Sequence, residues 1–275
     1  MRFPRDISKA EGAACACELT PDAGWRKLTL MLTPKSHDSQ MAQIRLVLCE
    51  HELLPLAEGA LWWPTQETLV VSDLHLEKGV SYARSGQYLP PYDTAATLAR
   101  VARLIDQLGV ARVISLGDSF HTPRSADALD PESCDLVRSL TSRCEWIWVE
   151  GNHDPDPPAH LGGQAAKTFR LGRLIFRHEP TGEAGEVAGH LHPCARLVGR
   201  GGKKVRRRCF LTNGGSLIMP AMGAFTGGLN VLDPAYAPVM AGDRQAFMLG
   251  ADRVYAVPAS RLVPDRADPG SVWRL

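Results

Sequence analysis

Short apolar runs alternate with helix-length amphipathic segments through the middle of the chain. Five runs rich in apolar and β-branched residues predict strands at 68–72, 112–116, 145–149, 174–176 and 186–188. Between the first two runs, apolar residues recur at spacings of three and four: Leu98, Val101, Ile105 and Leu108. That spacing predicts a helix with Asp93 as its N-cap and Gly109 just after its last turn. A second helix is expected at 131–142.

The two ends of the chain show other patterns. After Cys209 the sequence becomes rich in strand and turn residues, with Gly214–Gly215 and Gly227–Gly228 as breaks, which predicts a second sheet packed on the first. Residues 1–40 show little periodicity. We therefore expect a flexible N-terminal extension at 1–40 and one domain at 41–275, with Met41 as an alternative start.

Composition excludes some classes of protein. The 275 residues are 44% hydrophobic and 22% charged, with a formal net charge of +1, as in an ordinary globular domain. An uninterrupted apolar stretch of about 18 residues, which a membrane span needs, is missing. The first twenty residues lack the apolar region of a secretory signal, and the seven cysteines show no zinc-binding spacing. A cytoplasmic location is expected.

Motifs of acidic, histidine and amide residues follow the five predicted strands. In chain order they are Asp73-Leu74-His75, Gly117-Asp118-Ser119-Phe120-His121, Gly151-Asn152-His153-Asp154, Arg177-His178-Glu179 and Gly189-His190-Leu191-His192. One such motif alone is common by chance. Strand carboxyl ends meet at one edge of an α/β sheet, so the five together supply ligands for two adjacent cations. Carboxylate, imidazole and amide donors without thiolates suit catalytic Mn, Fe, Zn or Ni ions and argue against a structural zinc.

The residue types also indicate a reaction. Two neighbouring cations repel each other and need a shared anionic ligand, for which Asp118 is the natural candidate. A water that bridges the ions would lose a proton near neutral pH, and the hydroxide could attack a phosphate ester. A nearby imidazolium would protonate the leaving oxygen. The sequence therefore predicts a metal-dependent hydrolase.

From residue 67 to 192 the motifs resemble, in order, those of the calcineurin-like binuclear metallophosphoesterases. The resemblance implies an α/β sandwich of two mixed β-sheets flanked by helices, with the bimetal site at strand C-terminal ends. It implies one metal held by Asp73, His75, Asp118 and His192, and a second held by Asp118, Asn152, His178 and His190. It also implies His153 as the general acid and phosphate contact, supported by Asp154.

A narrower resemblance concerns the substrate. Where the protein phosphatases of this superfamily have an Asp three residues after the bridging Asp, this chain has His121, as in double-strand-break repair nucleases, whose histidine helps to stabilise the transition state. Segments 73–79, 89–94, 117–121 and 220–230 resemble the bacterial ligase-associated DNA damage response endonucleases, over residues 45–256. That family implies a Mn-dependent endonuclease in DNA repair, encoded beside a DNA ligase, an exonuclease and a helicase and functionally associated with them. We expect single-stranded or looped DNA as the favoured substrate. His121 as a packed, hydrogen-bonded residue is the alternative.

Six basic residues without an acid lie just after His192: Arg200, Lys203, Lys204, Arg206, Arg207 and Arg208. With the Gly201–Gly202 turn, they predict a hairpin that is either a solvated turn or a contact to the DNA backbone. Arg84 and Tyr92 are further candidates for substrate contact, with packing at the start of the helix as the alternative. For the whole chain, a small-nucleotide phosphatase or pyrophosphohydrolase remains open, as does a non-catalytic scaffold on the same fold.

Overall fold

The computed structural model describes residues 44–79, 92–122, 125–127, 129–156 and 158–265. The predicted N-terminal extension at 1–40 and the candidate contact Arg84 lie outside these ranges. Both expectations therefore stay predictions.

The first β-sheet brings three of the motifs to one edge. Its seven described strands are β1 (Leu46–Leu48), β2 (His51–Pro55), β3 (Leu61–Trp63), β4 (Thr68–Val71), β5 (Arg112–Leu116), β6 (Glu145–Val149) and β7 (Gln164–Ala166), and they lie side by side in chain order. Strands β1 to β4 are antiparallel, whereas β4 to β7 are parallel. Asp73, Asp118 and Asn152 follow the parallel strands β4, β5 and β6. This placement agrees with the sequence prediction.

Two α-helices of the described chain, α1 (Asp93–Leu108) and α2 (Pro131–Arg143), cover one face of this sheet. Gly109 ends α1 in the left-handed conformation (φ 64°), as expected. The N-cap prediction was wrong by one residue, because Tyr92 is the N-cap and Asp93 is the first helical residue. The Asp93 carboxylate instead accepts a hydrogen bond from the Gly79 amide at 3.0 Å, which ties the helix to the segment after the first motif.

The second sheet carries the other two motifs. Its nine described strands are β8 (Phe169–Leu171), β9 (Leu174–Arg177), β10 (Glu186–Ala188), β11 (Pro193–Val198), β12 (Lys204–Thr212), β13 (Leu217–Ile218), β14 (Leu229–Asn230), β15 (Gln245–Leu249) and β16 (Val254–Pro258). The sheet thus begins at Phe169 and not after Cys209. Strands β9 and β10 are parallel neighbours, and His178 and His190 follow them. Single-turn 3₁₀ helices occupy Pro64–Gln66, Ala159–Leu161, Arg200–Gly202, Pro234–Tyr236 and Ala259–Arg261.

Alternating side chains divide the core into layers. On β4, Leu69 and Val71 pack towards the helices, whereas Val70 packs between the two sheets against side chains such as Phe176 and Phe210. Fully burying an apolar side chain of this size contributes about 1.5–3 kcal/mol. The two sheets are therefore held as one sandwich, with the carboxyl ends of β4, β5, β6, β9 and β10 around one site.

A membrane-spanning helix needs about 20 apolar residues. The two described α-helices, of 16 and 13 residues, do not meet that requirement.

Candidate metal centre

Asp73, His75 and His192 form the first group of converging side chains. The Asp73 carboxylate lies 3.1 Å from His192 Nε2, and His192 Nε2 lies 3.3 Å from His75 Nε2. One donor atom from each of the three residues lies within 4.8 Å of the others. Asp118 adjoins this group, since its Oδ2 is 3.9 Å from His75 Nε2.

Asp118, Asn152, His178 and His190 form the second group. His178 Nε2 lies 3.4 Å from Asp118 Oδ2, 2.9 Å from Asn152 Oδ1 and 3.2 Å from His190 Nδ1. The Asn152 oxygen is also 3.0 Å from His190 Nδ1. One carboxylate oxygen, Oδ2 of Asp118, therefore faces imidazole nitrogens of both groups.

The chemistry of these atoms fits two divalent cations. Imidazole nitrogens face one another and carboxylate oxygens, and such lone pairs repel unless a proton or a cation lies between them. The His178 ring is held by Nδ1, which lies 2.8 Å from the Leu116 carbonyl, so that Nε2 points into the site. Anchoring the outer ring nitrogen in this way is usual for histidines that bind metals. All seven residues predicted as ligands are therefore brought together.

Burial and neighbouring charges set the protonation of the donors. Burial lowers the pKa of the His75 imidazole to about 3, against the opposing charge of Asp73. Although burial acts in the opposite direction, hydrogen bonding to Asp118 and the charge of Asp73 raise the pKa of His178 to about 9. Burial would likewise raise the pKa of Asp73, but the nearby histidines hold it well below its usual range. A cation bound at His178 would replace the proton of that ring.

The backbone of the candidate metal-binding residues adopts conformations that the sequence did not reveal. Nine described non-glycine residues have positive φ, and five of them are candidate ligands: Asp73 (50°), His75 (44°), Asp118 (47°), His190 (68°) and His192 (43°). Each such residue costs on the order of 1–3 kcal/mol and persists only where the surrounding contacts enforce it. This concentration of strain marks the loops as a functional site.

Asp154 holds the loop that carries Asp118. Its buried carboxylate accepts hydrogen bonds from the amides of Asp118 (2.8 Å), Ser119 (2.8 Å) and Phe120 (3.2 Å). Burial raises the pKa of Asp154 to about 7, and the three amides act against that rise because they stabilise the carboxylate. Asp154 therefore fixes the backbone of Asp118, the candidate shared ligand, which is a physical basis for its predicted supporting role.

The motif glycines serve close packing more than turning. Of Gly117, Gly151 and Gly189, which open three of the motifs, only Gly117 has positive φ. A Cβ on Gly151 would overlap the Asp118 amide and the carboxylates of Asp118 and Asp154. Gly189 is packed as closely against Ser72 and Asp73. The glycines leave the space that the carboxylates occupy.

Gly151→Ala is therefore expected to damage the site without touching a ligand. We expect the free energy of unfolding to fall by about 1–3 kcal/mol, because overpacking forces the Asp118 loop to move, and Mn²⁺ affinity to fall with it. Denaturant unfolding and Mn²⁺ titration measure the two effects. Gly215→Ala is the matched control, because a Cβ there would meet only Asn213 Oδ1, at 3.6 Å. Wild-type stability and Mn²⁺ affinity in Gly151→Ala would contradict the packing argument.

Two further histidines stand beside the shared carboxylate. The rings of His121 and His153 are stacked, with centroids 5.7 Å apart and planes inclined by 18°. His153 Nε2 lies 3.9 Å from Asp118 Oδ2, and 43% of its side-chain surface is exposed. Burial, with the charge of Lys78, lowers the pKa of His121 to about 4. His121 is thus positioned at the site as a neutral imidazole, and half-buried Lys78 is a neighbour that sequence reasoning did not single out.

The basic segment forms the predicted hairpin. Strands β11 and β12 pair antiparallel, with Val198 opposite Lys204. Lys203, Lys204, Arg206 and Arg207 are exposed. Arg208 is half-buried, and its guanidinium donates to the carbonyls of Ala221, Ala224 and Thr226 at 3.0–3.3 Å. Its described contacts are therefore structural. Tyr92 is exposed at the start of α1.

Comparison with known proteins identifies the protein family. The calcineurin-like phosphoesterase family matches residues 67–230, more than half of the chain. The protein belongs to this family, and the two-sheet α/β fold and the ligand-rich edge are those that its motifs predicted.

Solved structures that are similar to this chain include a nuclease. The nuclease MPE of Pseudomonas putida is 31% identical to this chain, and the match covers 77% of this chain and 98% of that chain with a TM-score of 0.59. The phosphoesterase Yfce from E. coli is 16% identical over 69% of this chain and 97% of that chain, with a TM-score of 0.38. No curated protein matches the chain. The family defines a metal-dependent hydrolase of phosphoric esters.

Proposed function

We propose that this protein is a Mn-dependent phosphodiesterase that cuts DNA internally, as an endonuclease in DNA repair. The observation that carries the proposal is the stacked pair His121 and His153 beside the shared Asp118 carboxylate. Two imidazoles at that place suit a diester, whose leaving alkoxide needs a proton. The likeness to the Pseudomonas putida nuclease supports the same substrate class.

In this proposal one cation would be held by Asp73, His75, Asp118 and His192, and the other by Asp118, Asn152, His178 and His190. The cations would bind the phosphate oxygens and activate a water for attack at neutral pH. His153 donates the proton to the leaving oxygen, and its position is fixed because its amide donates to Asp118 Oδ1 at 2.9 Å. His121 donates a hydrogen bond to the phosphate as a neutral ring.

The exposed basic side chains of the hairpin, Lys203, Lys204 and Arg207, would contact the DNA backbone. Arg206 would add its charge, although it pairs with Asp265 at 3.1 Å and donates to the Gly228 carbonyl. Arg208 contributes through the loop that it holds, and Arg84 remains a proposed contact. From the cysteine pattern we also propose a cytoplasmic location, and on family resemblance a functional association with a DNA ligase, an exonuclease and a helicase.

The test is nicking of a DNA hairpin with a single-stranded loop, with added Mn²⁺ or EDTA. We expect wild-type protein to cut the loop only with Mn²⁺, and Asn152→Ala to lose this activity because one ligand of the second group is missing. Asn152→Asp, which keeps an oxygen donor, should retain part of it. His160→Ala, at an exposed histidine outside the site, is the control.

The second candidate, a small-nucleotide phosphatase or pyrophosphohydrolase, uses the same chemistry at phosphorus. Intact DNA together with Mn²⁺-dependent release of phosphate from nucleotides would contradict the endonuclease and establish this alternative. The metal ligands would be unchanged in that case.

A further inference from the structure

A concavity lies at the edge of the second sheet, where strands β11, β12 and β15 end or begin. It encloses about 370 Å³, and its lining includes Cys194, Gly227, Gly250 and three arginines. Cys194 lies two residues after the candidate ligand His192, and Gly228, next to Gly227, packs against the His192 carbonyl. The cavity therefore lies on the segments that directly follow His192 and contact its backbone. Its volume is within the range of about 300–1,000 Å³ typical of small-ligand sites.

The cavity forms where the pairing of two strands ends. The described pairs of β12 and β15 run as far as Cys209 opposite Met248. Past that pair lie Arg208 and Arg207 on β12. Opposite them lie Leu249, the last residue of β15, and Gly250 directly after it. All four residues line the cavity. The described lining contains Arg206, Arg207 and Arg208 and no acidic residue. An anion is the ligand that this lining favours.

The three arginines differ in how many hydrogen bonds and ion pairs their guanidinium groups form within the protein. Arg208 is bound to three carbonyls, and Arg206 pairs with Asp265. Arg207 is exposed, and the hydrogen bond described for it goes to the carbonyl of its neighbour Arg206 at 3.0 Å. A guanidinium has five N–H donors. Arg207 therefore has the most capacity to bind a ligand at this place.

An exposed aromatic ring lies at the rim of the cavity. Tyr255 on β16 is 51% exposed. Its ring lies against Gly250, with Cε2 only 2.6 Å from the point where a Cβ would stand. The missing side chain of Gly250, which lines the cavity, thus leaves the space that the ring occupies. An exposed aromatic side chain next to a basic groove is the usual arrangement for binding single-stranded nucleic acid, in which bases stack and phosphates meet the charges.

Cationic side chains connect this cavity with the metal centre. The charge of Arg208 acts on Lys78, whose pKa is lowered by burial and by that charge. The charge of Lys78 acts in turn on His121, the ring beside Asp118. The Lys78 backbone is fixed on both sides, because the Glu77 amide donates to Thr94 Oγ1 at 2.8 Å and the Gly79 amide to Asp93 at 3.0 Å. Positive charge therefore extends from the cavity wall towards the histidine ring beside Asp118.

We infer that the cavity and Tyr255 bind one nucleotide of the substrate strand next to the phosphodiester that is cut. Arg207 contacts the phosphate of that nucleotide, and Tyr255 stacks on its base. This inference rests on the proposed function and adds to it a strand-binding subsite. A substrate with a single phosphate offers no neighbouring nucleotide to bind there.

The experiment is binding of a fluorescently labelled single-stranded DNA oligonucleotide to the full chain in EDTA, followed by anisotropy at several salt concentrations. We expect Tyr255→Ala to weaken binding about tenfold, because the ring on which a base stacks is lost, and Tyr255→Phe to bind like the wild type. Arg207→Ala should weaken binding and reduce the slope of log K against log salt by about 0.7. Arg207→Lys should keep that slope. Lys167→Ala, at an exposed lysine between β7 and β8, is the control.

Mn²⁺-dependent cleavage then separates the two proposals. Losses in Tyr255→Ala and Arg207→Ala should be larger for the oligonucleotide than for bis(p-nitrophenyl) phosphate. Unchanged DNA affinity in both variants, in a protein whose wild type cuts DNA, would overturn the subsite and leave the endonuclease standing. Equal losses in Tyr255→Phe and Tyr255→Ala would overturn the stacking. A wild type that hydrolyses nucleotides but leaves DNA intact would overturn the endonuclease and the subsite together.

Discussion

Asp118→Ala is expected to lower Mn²⁺-dependent phosphodiester hydrolysis by at least about a thousandfold, because metal ions supply several kcal/mol of transition-state stabilisation. Asp118 Oδ2 faces histidines of both ligand groups, at 3.9 Å from His75 and 3.4 Å from His178. Removing the carboxylate also leaves two cations without the shared negative charge that offsets their repulsion. Calorimetric titration with Mn²⁺ should therefore show weaker binding at both sites.

Asp118→Asn separates charge from shape, since the amide oxygen can still accept the hydrogen bond from the His153 amide. We expect this variant to fold like the wild type and still lose most activity. Asp243→Ala, at an exposed carboxylate far along the chain, is the control. Wild-type Mn²⁺ stoichiometry and turnover in Asp118→Ala would show that Asp118 is not the shared ligand.

His153→Ala is expected to keep both cations and to lose about 10²–10⁴-fold in turnover, the usual contribution of a general acid. The ring is partly exposed, with Nε2 3.9 Å from Asp118 Oδ2, while the hydrogen bond from this residue to Asp118 Oδ1 is made by its backbone amide. Truncating the ring therefore leaves that contact in place. Mn²⁺ titration and steady-state kinetics measure the two effects separately.

The leaving group provides the sharper control for His153. A p-nitrophenolate leaves without a proton, so bis(p-nitrophenyl) phosphate should lose far less activity in His153→Ala than a DNA phosphodiester does. Loss of Mn²⁺ from His153→Ala, or equal losses on both substrates, would contradict its role as the general acid.

Several parts of the fold could be predicted because local physics determines them. The strands β5, β6 and β10 lie where the apolar runs placed them, and Gly109 ends α1 as its conformational freedom suggests. Each motif directly follows a predicted strand, and that position was enough to predict that Asp73, Asp118 and Asn152 lie at one edge of the sheet. Sheet membership was harder, because β9 and β10 are short buried runs, and such runs do not reveal which sheet they join.

Other features depend on contacts between distant segments. The positive φ of His75 and His192 is enforced by the fold and leaves no trace in residue type. The need for Gly151 arises from Asp154, three residues away, and from Asp118, which belongs to another loop. Arg208 belongs to a charge run by sequence, but packing turns it towards three carbonyls. Tyr255 has no motif around it and gains its importance only beside Gly250.

The most direct test of the metal centre is a crystal structure of the full chain grown with Mn²⁺, with anomalous scattering used to locate the ions. Two anomalous peaks about 3.5–4 Å apart are expected, one beside Asp73, His75 and His192 and the other beside Asn152, His178 and His190, with the Asp118 carboxylate between them. A single peak, or peaks away from Asp118, would contradict the binuclear site on which the proposed reaction depends.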